Sequence, residues 1–298
     1  MNLLVTGAIG SSKDFLSELE MIGYNVIFLQ NENDELPVSP DKIEGVICNG
    51  LFLYHPIEEF VNLKFIQLTS AGFDRVPMDF VEKKGIEIYN AHGVYSIPMA
   101  EYAVCSVLSL YKQMRFFANN QSKYLWEKHR NLPELFGKTV LIIGCGSVGN
   151  ECAKRFKAFS TKVLGCDLKP VDNQNFDKIY HIDKLHSVLP MADVVVLTLP
   201  LSDKTRHLID EKAFLKFKDA SVLVNISRGA VVDTNALIKA LENKLYGAVL
   251  DVFEEEPLGV CSPLWDLPNV IITPHNSFVG ENNRSRLFDV IKHNLEKI

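Results

Sequence analysis

The chain has 298 residues, of which 47% are hydrophobic and 23% charged, and its formal net charge is −6. This length suits two domains, because single hydrophobic cores stop growing at about 250–300 residues. The acidic balance excludes a general nucleic-acid binder, which needs a concentrated basic face, and the longest apolar run, at 194–201, is too short to cross a bilayer.

The first ten residues, MNLLVTGAIG, are typical of a strand and lack the basic segment and long apolar run of a signal peptide. The six cysteines form no CxxC pair and have no histidine spacing suited to zinc. We therefore expect a cytoplasmic protein with reduced thiols, no metal site and no membrane contact.

Short β-branched runs alternate with helical patterns through the first 90 residues. The helical segments at 12–23 and 76–85 each close in glycine, as helices often do. Strands that are apolar on both faces and alternate with helices indicate a parallel sheet covered on both sides. The first domain is therefore predicted to be α/β and flavodoxin-like, with strands at 2–6, 25–29, 44–49, 64–69 and 86–90.

The second part of the chain starts with a long apolar helix predicted at 96–114, followed by a polar, irregular stretch at 116–138. A final amphipathic helix is predicted at 280–298, and it is expected to return to the first domain. The expected domains are 1–92 plus 279–298, and 93–278. A second α/β series is predicted between these helices, with strands at 139–144, 162–167, 194–200, 221–227, 247–253 and 269–274.

The most specific local signal is GCGSVG at 144–149, between a predicted strand and a helix. Gly144 permits a tight turn, Gly146 lets the backbone approach a pyrophosphate, and Gly149 allows close packing of helix and sheet. The N–H groups of Ser147 and Val148 lie at the helix start, where an anion is favoured. The pattern predicts a dinucleotide-binding Rossmann unit.

Asp167 ends the next predicted strand, 18 residues after Gly149. A carboxylate at this place accepts hydrogen bonds from the adenosine ribose and repels the additional phosphate of NADP. Lys169 acts in the opposite direction, because a lysine can hold a 2′-phosphate. We predict NAD over NADP.

Three chemically complementary side chains follow strands of the second series: Arg228, Glu256 and His275. All lie just past the carboxyl ends of their strands, where open α/β sheets bind ligands. An arginine fork binds carboxylate and carbonyl oxygens, and a histidine paired with a carboxylate transfers protons near neutral pH. Each alone is more often a surface or loop residue, but together they favour catalysis on a 2-oxo acid.

With these motifs the chain resembles the D-isomer-specific 2-hydroxyacid dehydrogenases, the family of D-lactate, glycerate and phosphoglycerate dehydrogenases. The resemblance implies two doubly wound parallel-sheet domains, a flavodoxin-like substrate domain and a Rossmann NAD-binding domain, with the active site in the cleft between them. It implies a homodimer paired through the cofactor domains. The matching segments are SAGFD (70–74), 90–103, 137–149, 197–209, NISRGAVVD (225–233), 247–258 and 272–275.

The resemblance also implies roles for the catalytic residues. Arg228 would bind the carboxylate and carbonyl oxygen of the substrate. His275 would be the general acid in reduction and the base in oxidation, with Glu256 holding its ring. The choice of Glu256 from the run 254–256 depends on aligning the E-P dipeptide at 256–257 with the family.

Further contacts follow from the same resemblance. Asp251 would hydrogen-bond the nicotinamide carboxamide, and Ile226 and Ser227 would lie against the cofactor. The backbone N–H groups of Ala71 and Gly72 would cradle the substrate carboxylate.

The substrate and the reaction class leave alternatives open. The residues after His275, Asn276-Ser277-Phe278, depart from the family's aliphatic residue and glycines, so the wall of the site is expected to differ. Segment 51–56 and Trp126 are candidates for an apolar pocket that takes a branched or aromatic 2-oxo acid, with core positions for Leu51 and Leu53 as the alternative. Arg75 is the candidate cation for a phosphorylated substrate. We favour a non-phosphorylated acid.

Two other functions are weighed against the enzyme. A cofactor-sensing binding protein, like the co-repressors built on this fold, is the main alternative. Formate dehydrogenases pair the histidine with glutamine, so Glu256 argues against that activity.

Overall fold

The computed structural model describes residues 1–10 and 13–298 and divides into two compact units, Met1–Tyr95 with Gly280–Ile298, and Ser96–Val279. The start of the first predicted helix, at Ser12, lies outside the described residues. The assignment of substrate binding to the first unit and cofactor binding to the second stays a prediction.

The first unit is built on a parallel sheet. Over residues 1–10 and 13–95 its five strands lie in the order β2-β1-β3-β4-β5, the doubly wound order of flavodoxin-like folds. The predicted fold class is confirmed for this unit. The strands are β1 (Asn2–Thr6), β2 (Asn25–Leu29), β3 (Gly45–Cys48), β4 (Phe65–Leu68) and β5 (Glu87–Tyr89), and the helices are α1 (Lys13–Met21), α2 (Met78–Lys84) and, near the end of the chain, α9 (Asn283–Leu295).

Helices cover both faces of this sheet because its central strands are buried on both sides. On one face, α1 and α9 meet, with the rings of Phe15 and Phe288 stacked at a centroid distance of 3.9 Å. On the other face lies α2, which ends at Gly85 in the left-handed conformation, φ 65°, as its glycine predicted.

The second unit, all of whose residues are described, contains seven parallel strands in the order β12-β11-β10-β9-β6-β7-β8. Counted from β6, this is the Rossmann order 3-2-1-4-5-6 with one more strand at the edge, and it confirms the predicted fold class. The strands are β6 (Thr139–Ile143), β7 (Lys162–Asp167), β8 (Lys178–His181), β9 (Val194–Leu197), β10 (Val222–Asn225), β11 (Gly247–Leu250) and β12 (Val270–Ile272). The helices are α3 (Ser96–Tyr111), α4 (Met114–Ser122), α5 (Ser147–Lys157), α6 (Leu185–Val188), α7 (Glu211–Lys216) and α8 (Thr234–Asn243).

Two local predictions for this unit were wrong. The helix predicted at 96–114 ends at Tyr111, and a second helix occupies 114–122, where an irregular stretch was expected. Gln113 breaks the helix: it adopts φ 51°, and its side-chain amide donates to the carbonyl of Leu110. Strand β8 was missed because KIYH is short and its end residues are exposed.

Hydrophobic residues fill both faces of the second sheet. One cluster joins its strands to α6, α7 and α8, and the other joins them to α3 and α5. This packing leaves the carboxyl ends of the strands, and the loops that follow them, as the edge at which polar side chains collect. No helix in the described ranges is both long and apolar enough to cross a bilayer.

Candidate active site

The glycine-rich turn follows β6 and leads into α5. Gly144 has φ 96°, and a Cβ there would lie 2.8 Å from the backbone nitrogen of Leu199, so only glycine fits without strain. A Cβ on Gly149 would collide with the carbonyl oxygen of Gly144, because helix and strand are in close contact. Apart from Gly146 and its two chain neighbours, no described residue has an atom within 4 Å of the position of a Cβ on Gly146, which leaves this side of the turn open to a ligand.

Helix α5 begins at Ser147, so the N–H groups of Ser147, Val148 and Gly149 precede its first i→i−4 bond, which Asn150 donates to Gly146. The hydroxyl of Ser147 is hydrogen-bonded to that of Ser96, the first residue of α3. Ser96 was not predicted as a site residue, although a serine at the start of a predicted helix was an available signal. The open turn and the helix start fit a pyrophosphate.

Asp167 lies beside this turn. Its Oδ2 accepts a hydrogen bond from the backbone N–H of Cys145 at 2.7 Å, and its Oδ1 accepts one from the N–H of Lys169 at 2.9 Å. A carboxylate has about four acceptor positions, so both oxygens retain capacity for ribose hydroxyls. The residues present therefore fit the adenosine and pyrophosphate parts of a nicotinamide dinucleotide.

Arg228 is presented by a turn after β10 that Asn225 holds. The buried amide of Asn225 accepts from the N–H and hydroxyl of Ser227, at 3.1 and 2.9 Å, and donates to the carbonyl of Arg228 at 3.0 Å. Ile226 is 1% exposed and belongs to the hydrophobic core, and Ser227 is also buried. The expected contacts of Ile226 and Ser227 with the cofactor stay predictions, and the burial of these side chains does not favour them.

His275 and Glu256 are brought together. The Nδ1 of His275 lies 2.8 Å from Oε2 of Glu256, and Oε1 of Glu256 accepts from the backbone N–H of Phe253 at 3.0 Å. With Nδ1 facing the carboxylate, Nε2 is the ring nitrogen left for a substrate. His275 adopts φ 50°, which is uncommon outside glycine, and Phe278 packs edge-on against its ring at a centroid distance of 6.0 Å.

Asp251 is fully buried beneath this histidine. Its Oδ1 accepts from the Thr273 hydroxyl at 2.6 Å and the N–H of Asn276 at 2.7 Å, and its Oδ2 accepts from the N–H of Ser277 at 2.9 Å. The structure thus surrounds Asp251 with protein donors. Its expected bond to a nicotinamide carboxamide stays a prediction.

The glutamates at 254–256 have different partners in the structure, and Glu254 does not contact His275 as Glu256 does. Oε1 of Glu254 accepts from the N–H and hydroxyl of Thr234, at 2.9 and 2.6 Å, and its Oε2 lies 2.7 Å from Nε2 of His207. Burial opposes ionisation of Glu254, but the hydrogen bonds from Thr234 and His207 outweigh it, so the pKa of this carboxyl is lowered. His207 lies 47 positions from Glu254, and no sequence signal joins the two residues.

In the first unit, Ala71 and Gly72 follow β4. Their carbonyls accept hydrogen bonds, Ala71 from the Asn90 amide at 2.7 Å and Gly72 from the Ser70 hydroxyl at 3.1 Å. Within the described ranges their N–H groups donate to no protein acceptor. A turn that is held by its carbonyls and has open N–H groups is suited to bind a carboxylate.

The loop after β3 does not offer open N–H groups in the same way, because its backbone N–H groups already donate to the carboxylate of Glu32. The Glu32 carboxylate accepts from the N–H groups of Asn49 and Gly50, both at 2.6 Å, and from the hydroxyl of Thr6 at 2.8 Å. Glu32 was not predicted as part of the site. Of the candidate apolar pocket, Leu51 is in the core, whereas Leu53 is 61% exposed and, in the second unit, Trp126 is 97% exposed.

No cluster of His, Cys, Asp and Glu in the described part of the chain could hold a metal ion. The described cysteines are free thiols, and burial raises the pKa of Cys145 and Cys166 to about 12. These thiols, next to the candidate cofactor residue Asp167, are therefore poor nucleophiles.

Residues 104–277 match the family model of the D-isomer specific 2-hydroxyacid dehydrogenase, NAD binding domain. The chain belongs to the D-isomer specific 2-hydroxyacid dehydrogenases. It is accordingly an oxidoreductase that uses a nicotinamide cofactor, and the expected family and enzyme class are confirmed.

Similar proteins cover nearly the whole chain of this dehydrogenase. It is 35% identical over 291 residues to a glyoxylate reductase of Thermofilum pendens, covering 95% of this chain and 82% of the relative. A family structure from Aeromonas salmonicida matches with a TM-score of 0.85 at 30% identity, over 99% of this chain and 94% of that one. A Xanthobacter autotrophicus family structure, solved with NADPH and MES, matches with a TM-score of 0.80 at 25% identity, over 99% and 95%.

Proposed function

We propose that this dehydrogenase reduces a small, non-phosphorylated 2-oxo acid with NADH and oxidises the corresponding D-2-hydroxy acid in reverse. The observation that carries the proposal is the pair formed by His275 and Glu256, joined at 2.8 Å at the carboxyl edge of the second sheet. Glyoxylate is the first substrate to test, because the relative from Thermofilum pendens is named for it.

The acid/base step is assigned to His275. Glu256, held by the N–H of Phe253, keeps Nδ1 of His275 turned toward itself and stabilises the protonated ring. Nε2 then gives a proton to the alkoxide that forms on reduction, and takes it back on oxidation. The bound nicotinamide supplies or accepts the hydride.

Substrate binding is assigned to Arg228, Ala71 and Gly72. The guanidinium of Arg228 binds the carboxylate and polarises the carbonyl oxygen, because its planar fork matches two oxygens. Asn225 supports this role, since it holds the turn that presents Arg228. The N–H groups of Ala71 and Gly72 hold the carboxylate through backbone hydrogen bonds.

Preference for NAD over NADP is assigned to Asp167, whose carboxylate lies beside the glycine turn. A negative charge there disfavours a 2′-phosphate. Cytoplasmic location and homodimer formation also stay predictions of the sequence analysis, and cross-linking or light scattering of the purified chain tests the second.

The test is turnover of a panel of 2-oxo acids, followed through loss of NADH absorbance. The panel contains glyoxylate, hydroxypyruvate, pyruvate, and branched, aromatic and phosphorylated acids. We expect His275→Ala to lower kcat by at least about 100-fold while NADH binding persists, and Glu256→Gln to lower it by about tenfold. His186→Ala, an exposed histidine on α6, is the matched control.

Two results would overturn the proposal. Near-normal turnover by His275→Ala would remove the acid/base assignment. NADH binding by the wild-type chain without turnover of any 2-oxo acid would favour the cofactor-sensing alternative.

A further inference from the structure

The turn that carries His275 is tied to a single buried residue. The N–H of His275 donates to the backbone carbonyl of Asp251 at 2.8 Å, and the next two N–H groups, of Asn276 and Ser277, donate to the Asp251 carboxylate. Consecutive N–H groups that share one acceptor residue cannot shift without breaking these bonds. The position of the His275 backbone therefore depends on the position of Asp251.

The Asp251 carboxylate in turn depends on Thr273. A buried carboxylate is unfavourable unless hydrogen bonds replace its water, and the Thr273 hydroxyl supplies one at 2.6 Å. A threonine hydroxyl has one proton, and a carboxylate accepts only, so the proton of Thr273 points to Asp251.

Tyr102 completes the chain of hydrogen bonds. Its hydroxyl lies 2.6 Å from Oγ1 of Thr273, and because Thr273 has already given its proton to Asp251, Tyr102 must be the donor. Burial raises the pKa of Tyr102, so its hydroxyl stays protonated. Bonds in such a chain polarise one another, and each strengthens the next.

The elements that carry these hydrogen-bonded residues are rigid. Tyr102 lies on α3, whose neighbouring Ala100 and Ala103 are fully buried against the sheet, and Thr273 follows β12 directly. His275 needs such support, because a non-glycine residue at φ 50° persists only where its surroundings hold it. Asp251 has no exposed surface, so anchoring this turn is the role that its contacts define.

We infer that Tyr102 and Thr273 are positioning residues, which hold the His275 turn through the buried carboxylate of Asp251. The inference rests on the proposed acid/base role of His275. It extends that role to two residues beyond Arg228, Glu256 and His275.

Substitutions that remove one hydroxyl at nearly constant shape test the inference in the full-length chain. Thr273→Val is expected to lower kcat for the 2-oxo acid by about tenfold, the effect of one lost hydrogen bond to a charged group, with KM for NADH unchanged. Thr273→Ser keeps the hydroxyl and is expected to restore kcat, and Tyr102→Phe is expected to lower it by about threefold.

Matched controls lie elsewhere in the same unit. Thr161→Val removes a buried hydroxyl that donates to the carbonyl of Phe156, and Tyr246→Phe removes one that accepts from Gln113. Both are expected to leave kcat unchanged. With deuterated NADH, the isotope effect on kcat is expected to grow in Thr273→Val, as chemistry becomes slower than product release.

The position of the His275 ring can also be measured by NMR, which does not depend on catalytic turnover. The imidazole NMR resonances of His275 are expected to shift in Thr273→Val and Tyr102→Phe, and not in Thr161→Val. Unchanged His275 resonances would overturn the inference, as would wild-type kcat in Thr273→Val. A raised KM for NADH alone would assign Asp251 to the carboxamide instead. Absence of wild-type turnover would contradict the proposed function, and the resonances would still decide the inference.

Discussion

Replacement of Glu254 by alanine is expected to destabilise the second unit and the loop that carries Glu256. Glu254 joins that loop to the start of α8 through Thr234, and to His207. Alanine removes these contacts together, while the neighbouring Glu255 offers a matched control. Glu255 is exposed and has no hydrogen bond or ion pair among the described side chains.

The magnitude follows from the individual contacts. Thr234 is the first residue of α8, and a carboxylate at a helix start contributes about 0.3–1 kcal/mol. The Thr234 hydroxyl, 2.6 Å from the carboxylate, adds about 1 kcal/mol, below the usual value for a charged acceptor because the side chain of Glu254 is 33% exposed. The partly exposed pair with His207 adds about 0.5 kcal/mol. We expect Glu254→Ala to lower the free energy of unfolding by about 2 kcal/mol.

Urea unfolding of the two variants and the wild type measures this difference. Because the pKa of Glu254 is lowered in the folded state, its carboxylate stabilises the fold fully at pH values above the unfolded pKa of about 4.3. The stabilisation is lost as the pH falls through the lower, folded-state pKa. The gap between wild type and Glu254→Ala is therefore expected to close in acid. Equal unfolding midpoints for Glu254→Ala and Glu255→Ala at neutral pH would refute the reasoning.

Two substitutions test the cofactor site. Gly149→Ala places a Cβ against the carbonyl oxygen of Gly144, so we expect a loss of about 1–3 kcal/mol in thermal unfolding and weaker NADH binding by fluorescence titration. Gly259→Ala is its control, because no described residue beyond the two chain neighbours of Gly259 has an atom within 4 Å of that Cβ position. Equal effects of the two substitutions would contradict the packing argument. Asp167→Ala is expected to lower the ratio of kcat/KM for NADH over NADPH by about tenfold. The exposed Asp172→Ala controls for charge, and a ratio unchanged by Asp167→Ala would remove the basis for NAD preference.

Much of the fold could be predicted because its central strands are short, continuous apolar runs. Strands β3, β4, β9 and β10 are buried at every position, and burial on both faces is what makes a parallel sheet visible in a sequence. Edge strand β8 lacks this signature, since Lys178 and His181 face solvent. The break at Gln113 was not predictable from periodicity, because it depends on hydrogen bonds to the carbonyl of Leu110 and the hydroxyl of Tyr246.

The glycine-rich turn at 144–149 could be predicted because its requirements are local. All three glycines are required within one strand–turn–helix unit. Gly144 has a positive φ, Gly146 leaves one side of the turn open, and Gly149 allows the helix to approach the strand closely. The residues that support the proposed catalytic pair, His275 and Glu256, were not predictable in this way. The bond from Tyr102 to Thr273 spans 171 positions of the chain, and no spacing rule connects residues that far apart.

The three glutamates at 254–256 cannot be distinguished by sequence pattern, but they differ in the structure. In the sequence, Glu254, Glu255 and Glu256 are equivalent acids after a strand, and only alignment of the E-P dipeptide singled out the last. In the structure, Glu254 reaches the start of α8 and His207, and Glu256 turns back to the N–H of Phe253 and to His275. Each acid takes its role from the donors that the turn brings within about 3 Å, the range of a hydrogen bond. Identical side chains two positions apart can therefore differ in what they support: Glu254 holds a loop, and Glu256 holds the ring of His275, the proposed acid/base residue.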